Sequence, residues 1–130
     1  EIVKKHVKAI EVRLDGKKLK TDIAEDVVAT LVQDDFVQIL SILLDNAAKY
    51  AKSWVSVELK NNYVKVENDG KEIPATKMEH IFERFYQVDK TATGVGLGLS
   101  IAKSAADHND WEIIADSNKK STSFTLYFKR

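Results

Sequence analysis

The chain has 130 residues, the size of one ordinary domain, and its 44% hydrophobic and 31% charged residues suit a soluble globular core. Lys plus Arg and Asp plus Glu number 20 each, so the net charge is zero; this argues against broad electrostatic capture of nucleic acid or an acidic membrane. There is no cysteine, which excludes disulfides, thiolate catalysis and cysteine-based zinc sites.

No apolar run approaches the roughly 20 residues that cross a bilayer, and residues 1–20 mix charged and apolar side chains in a way no signal peptide does. The abrupt start suggests a piece of a longer protein, with residues 1–8 a candidate for the end of a preceding helical domain. Val7 to Leu14 alternates in strand fashion, and Asp15-Gly16 signals a turn. The β-branched run Val27 to Val32 reads as a second strand. Asp34 or Asp35 is placed to cap a helix in which Phe36, Ile39, Leu40, Leu43, Leu44 and Ala47 form one apolar face.

Ser53 to Leu59 and Tyr63 to Glu67 read as strands joined by an Asn61-Asn62 turn. Pro74 is placed to start a helix running to about Phe82, in which Phe82 packs into the core. A second long helix is expected from about Leu97 to His108. Trp111 to Asp116 and Ser123 to Phe128 close the chain as strands around Asn118-Lys119. Adjacent hairpins mixed with helices predict an α+β chain, a two-layer α/β sandwich, over a doubly wound parallel sheet.

Three patterns bear on chemistry. On the first helix, Ile42, Asn46 and Lys49 form a stripe flanking the apolar face. An amide oxygen there suits Mg²⁺, and Lys49 suits a phosphate, although an ordinary amphipathic helix looks the same. In Val66-Glu67-Asn68-Asp69-Gly70-Lys71-Glu72-Ile73-Pro74 a strand ends in polar side chains, and Gly70 lets the backbone approach something closely. That suits a planar heterocycle, or a plain Asx turn. Gly94-Val95-Gly96-Leu97-Gly98-Leu99-Ser100 opens a helix with glycines at alternate positions, an arrangement that suits a phosphate chain or a plain turn. It matches neither the Rossmann fingerprint nor the P-loop. His6, His80 and His108 lack metal-ligand spacing.

Taken together and in order, these runs resemble the catalytic domain of sensor histidine kinases, within the ATPase group shared with gyrase B subunits, chaperones of the ninety-kilodalton class and mismatch-repair ATPases. Ile39 to Tyr50 (ILSILLDNAAKY) looks like the N box, Val66 to Pro74 the G1 box, Ile81 to Asp89 (IFERFYQVD) the F box, and Gly94 to Ile101 (GVGLGLSI) the G2 box. The resemblance implies a Bergerat fold, a mixed sheet covered on one face by about three helices, binding ATP and Mg²⁺. By position, Asn46 would hold Mg²⁺, Lys49 and Arg84 would serve the phosphate chemistry, and Tyr50 and Phe85 would line the nucleotide pocket. Asn68 stands where the family usually reads the adenine amino group with aspartate, and Gly70 and Ile73 would complete that pocket. Gly94, Val95, Gly96, Leu97, Gly98 and Leu99 would cradle phosphates and hinge a lid.

Several departures stand out. Asn68 is a neutral acceptor, expected to bind the amino group less strongly than a carboxylate. Glu72 replaces a G1 glycine, and Gln87 stands where many members have arginine. Ile42 takes the place of the glutamate that activates water in the hydrolytic relatives, favouring a kinase over a hydrolase. The expected function is transfer of the ATP γ-phosphoryl group to a histidine on a separate helical dimerisation domain, with a response regulator downstream. The family's phosphoacceptor motif is missing, since His6 in Lys4-Lys5-His6-Val7-Lys8 does not match it. The implied setting is a cytoplasmic domain of a membrane-anchored parent, itself touching neither membrane nor nucleic acid. The alternative is a catalytically weak nucleotide-binding regulatory module of the same fold.

Overall fold

The computed structural model describes residues 8, 16–23, 33–60, 62–86 and 98–128. Five strands form one sheet in the order β1-β2-β3-β5-β4. They are β1 (Lys18–Ile23), β2 (Trp54–Leu59), β3 (Tyr63–Asn68), β4 (Glu112–Ser117) and β5 (Thr122–Tyr127). β1 runs parallel to β2 and the other pairings are antiparallel, so the sheet is mixed, as the α+β expectation requires.

The described helices are α1 (Gln33–Tyr50), α2 (Ala75–Met78) and α3 (Gly98–His108). The six residues expected on the apolar face of α1 are all buried. They meet the inner face of the sheet, where Val55, Val57, Val64, Val66, Phe124 and Leu126 are buried in turn. α3 contributes Ala102, Ala105 and Ala106 to the core. Such small side chains let two helices lie close, and α3 packs on α1 and β4. Its far end is tied to the start of α1, where Asn109 Nδ2 donates to Asp35 Oδ2 at 2.7 Å.

Several sequence expectations need correction. β1 was not expected; it is a lysine-rich edge strand with Lys18, Lys20 and Asp22 exposed, which leaves little hydrophobic signal. Asp34 and Asp35 lie inside the first turn of α1, where they complement the helix dipole, because the helix begins at Gln33. The helix at Pro74 is one turn long with no buried residue. Beyond it, His80, Glu83 and Tyr86 donate to carbonyls three residues back, so successive tight turns replace a helix. Phe82 still packs edge-on against Phe124, as a core residue should. The expected strand at Val7–Leu14 lies outside the described residues apart from Lys8, which is helical. The strand expected at Val27–Val32 also lies outside them.

Candidate functional site

The inner face of the sheet changes character along the strands. In the middle register row, Val57, Val66, Phe124 and Ala115 stand abreast. One step on, the row reads Val55, Asn68, Thr122, Ser117. Asn68 and Thr122 are buried at 2% and 4% exposure, so a polar strip interrupts an otherwise apolar floor. Such groups persist only when hydrogen-bonded. Asn68 Oδ1 accepts the Gly70 N–H at 2.8 Å. A backbone N–H can only donate, so this bond fixes which end of the amide is the oxygen. Ser117 and Thr122 share a hydroxyl hydrogen bond at 2.6 Å, and Ser117 Oγ accepts the Ile73 N–H at 2.9 Å. Both ends of the loop from Asn68 to Ile73 are thereby held over the strand ends.

Gly70 is required by contact. A Cβ at this position would overlap the Tyr50 carbonyl oxygen and Asn68 Oδ1. The close approach expected of Gly70 is therefore made to the end of α1. Asn68, Gly70 and Tyr50 are brought together, with Ile73 joined through Ser117. Tyr50 is 37% exposed, and the Lys49 ammonium lies 5.3 Å from its ring centroid.

Asp69, between Asn68 and Gly70, faces a different task. Its carboxylate accepts the backbone N–H groups of Lys52, Ser53 and Trp54 at 2.9, 2.9 and 3.1 Å, and the Ser53 hydroxyl. Burial alone would raise the Asp69 carboxyl. The Ser53 hydroxyl and the three N–H donors outweigh burial and hold it well below the usual carboxylate range.

Asn46 lies half-buried one turn before Tyr50, and Ile42 lies one turn before Asn46, packed against the core. Gly98, the first residue of α3, sits beside Ile42: a Cβ there would be 3.5 Å from Ile42 Cγ2. Ile42, Asn46 and Tyr50 thus line one strip of α1 from the start of α3 to the strand end at Gly70. Ile42 and Tyr50 are eight positions apart, or about 12 Å along the axis. Leu99 is partly buried against the core. Gly94, Val95, Gly96, Leu97 and Gln87 lie outside the described residues.

The structure does not group Arg84 and Phe85 with this strip. Arg84 lines a groove of about 600 Å³ whose α1 residues are Asp35 and Gln38 and whose α3 residues include Ser100, Ser104 and His108. Phe85 is 64% exposed, with the Arg84 guanidinium 5.2 Å from its ring centroid. It adopts φ 67°, a left-handed conformation that is rare for a bulky side chain.

Sequence reasoning missed Ser117 and Thr122. Their importance lies in register with Asn68, which only strand pairing reveals. The available signal was a threonine at an inward position of an alternating strand.

A family model described as histidine kinase-, DNA gyrase B- and HSP90-like ATPase matches residues 31–130. The sensor protein PhoQ of Escherichia coli strain K12 is 34% identical over 104 residues, covering 77% of this chain and 21% of that protein. The chain therefore spans about a fifth of that relative's length. The catalytic domain of histidine kinase ThkA superposes with a TM-score of 0.79 at 21% identity, covering 97% of this chain and 90% of that one. Full-length ShkA, solved in complex with AMPPNP, superposes with a TM-score of 0.78 at 20% identity, covering 97% of this chain and 28% of that one. With a family match over most of its length and the mixed sheet and helices of a histidine kinase catalytic domain, the chain belongs to the family of histidine kinase-, DNA gyrase B- and HSP90-like ATPases.

Proposed function

We propose that this chain is the ATP-binding catalytic domain of a sensor histidine kinase. It transfers the γ-phosphoryl group of ATP to a histidine on a separate helical dimerisation domain of its parent. The carrying observation is the α1 strip Ile42–Asn46–Tyr50, which joins the glycine start of α3 to the polar strand end. Its length suits a nucleotide with the base at one end and phosphates at the other. The base lies among Tyr50, Asn68, Gly70 and Ile73. The phosphates lie near Asn46, Lys49 and Gly98, where the start of a helix favours anions. The AMPPNP complex of ShkA supports ATP as the ligand.

The residues present fit Mg²⁺. Asn46 offers a half-buried hard oxygen, and Mg²⁺ commonly takes one or two protein ligands plus substrate phosphates and waters. Among the described residues no cluster of three His, Cys, Asp or Glu offers a fuller cage. When bound, the ion supplies charge neutralisation on the phosphate oxygens. In the transfer the γ-phosphorus bond to the bridging oxygen breaks, a phosphorus–nitrogen bond to the imidazole forms, and ADP leaves. Ile42 holds no proton-abstracting group beside this site, so water is not activated there. The phosphoryl group passes on to a response regulator. The parent is membrane-anchored with this domain on the cytoplasmic side; among the described residues no helix is long and apolar enough to cross a membrane.

The test is ATP titration with and without Mg²⁺, followed by transfer to the parent's histidine-bearing helical domain. Asn46→Asp is expected to weaken ATP binding in Mg²⁺ by about tenfold or more. An acid-labile phosphohistidine on the helical domain, and none on this chain alone, supports the kinase reading. Appreciable ATP hydrolysis by the chain alone would overturn it, and binding without transfer would leave the regulatory alternative.

A further inference from the structure

Asp69 stands between Asn68, on the base side of the strand end, and Gly70, which abuts Tyr50. Lys52, Ser53 and Trp54 form the passage from the end of α1 into β2. Three consecutive N–H groups from that passage converge on the one carboxylate, with the Ser53 N–H shared between its two oxygens at 2.9 and 3.2 Å. Successive amides arranged this way make an anion-binding concavity, here filled by the chain's own side chain.

The position of this clamp matters more than its strength. Lys52 follows Tyr50 by two residues, and Asp69 follows Asn68 directly. The carboxylate therefore joins the end of the helix that carries Asn46, Lys49 and Tyr50 to the end of the strand that carries Asn68. Beside it, Gly70 lies so close to the Tyr50 carbonyl that not even a methyl group fits between them. The spacing between the Tyr50 wall and the Asn68 wall is thus set by contacts with no slack. Loss of the carboxylate removes the one acceptor these three N–H groups share and frees the two walls to move apart.

We propose that Asp69 is a positioning residue for the nucleotide base: without touching the ligand, it fixes the gap between Tyr50 and Asn68. This rests on the reading that the base lies between those residues. It departs from the plain alternative, in which Asp69 merely stabilises a turn.

The experiment compares the wild-type chain with Asp69→Ala and Ser53→Ala. ATP and adenosine are titrated at a temperature where circular dichroism shows each variant fully folded. Asp69→Ala is expected to weaken ATP by about tenfold and adenosine by the same factor, because the effect is at the base end. Added formate, which can occupy the emptied concavity, should restore part of the affinity of Asp69→Ala and leave wild type unchanged. Ser53→Ala, which removes only the hydroxyl donor, should weaken both ligands about twofold to threefold, and it carries the test if Asp69→Ala does not fold. Folded variants that bind both ligands like wild type would overturn the proposal. So would a loss for ATP without a loss for adenosine. A wild-type chain that binds neither ligand would instead sink the functional reading on which the proposal rests.

Discussion

At one end of the inner face of the sheet, Leu59, Val64, Leu126 and Ile113 stand abreast; at the other end of the same strands stand Val55, Asn68, Thr122 and Ser117. All four of the first row are buried hydrophobics. In the second row, two of the three polar side chains are just as deeply buried, Asn68 held by the Gly70 N–H and Thr122 by the Ser117 hydroxyl. The strands and pairing are the same, yet the two ends serve different purposes. The apolar end supports the fold by removing surface from water. The polar end spends burial on groups that must be paired, and it lies where the end of α1 and the loop to Ile73 converge.

This contrast predicts a separation of effects. Leu126 is fully buried at the apolar end, so Leu126→Ala should cost about 2–5 kcal/mol of stability. Its ATP affinity, measured on the folded population, should stay within about threefold of wild type. Denaturant melts and nucleotide titration check the two halves. An affinity loss matching the stability loss would mean that the ends are not separable.

At the polar end the proportions should reverse. Asn68→Ala removes the acceptor of the Gly70 N–H and should cost only about 1 kcal/mol of stability, while ATP affinity falls by about tenfold. Asn68→Asp has the opposite sign. A carboxylate is a stronger acceptor than an amide oxygen, so it should tighten ATP several-fold. Calorimetric titration of both variants checks the pair of signs, and a tighter Asn68→Ala would remove Asn68 from the base site.

The comparison also explains what was legible in the sequence. The apolar face of α1 and the hairpin strands were legible because burial there follows a fixed spacing, 3.6 or 2 residues. β1 was not, because an exposed edge strand of Lys18, Lys20, Thr21 and Asp22 carries almost no such pattern. In the site, Asn46, Asn68 and Gly70 were legible as residue types at element ends. What each of them touches was not. Gly70 meets Tyr50 across 20 positions of chain, Asp69 clamps residues 15 to 17 positions back, and Thr122 gains its role from register with Asn68. The groove placement of Arg84 depends on how the turns after α2 run, and local propensity did not foresee that they leave the helix at Met78.

Acid should loosen the polar end through Asp69. Its folded carboxyl is held below its ordinary range, so the clamp is complete above the unfolded pKa near 3.9 and is lost as pH falls from there. Asp69→Asn should cost about 1–2 kcal/mol at neutral pH, allowing for partial solvent screening. The gap to wild type should then narrow as pH drops below about 4. Thermal melts across pH 2–7 check this, and a gap that is constant with pH would show that the charge contributes nothing.

The smallest effect belongs to neither end and serves as the control. His80 Nδ1 lies 2.6 Å from Glu83 Oε2, and Nε2 lies 3.6 Å from Glu79 Oε1. The hydrogen bond to Glu83 raises the His80 pKa against an opposing effect of burial, and the Glu83 and Glu79 charges add to the rise. A raised pKa reverses the sign found for Asp69: the contribution is fully present below the unfolded value near 6.5 and is lost as pH rises through the folded value. His80→Gln should therefore lower the melting temperature slightly at pH 5 to 6 and not at pH 9. Since His80 touches neither Tyr50 nor the strand end in any described contact, its ATP affinity should match wild type at both pH values. An affinity change that tracked this titration would mean that the turns after α2 are coupled to the base site, and the division between the two ends of the sheet would then be too simple.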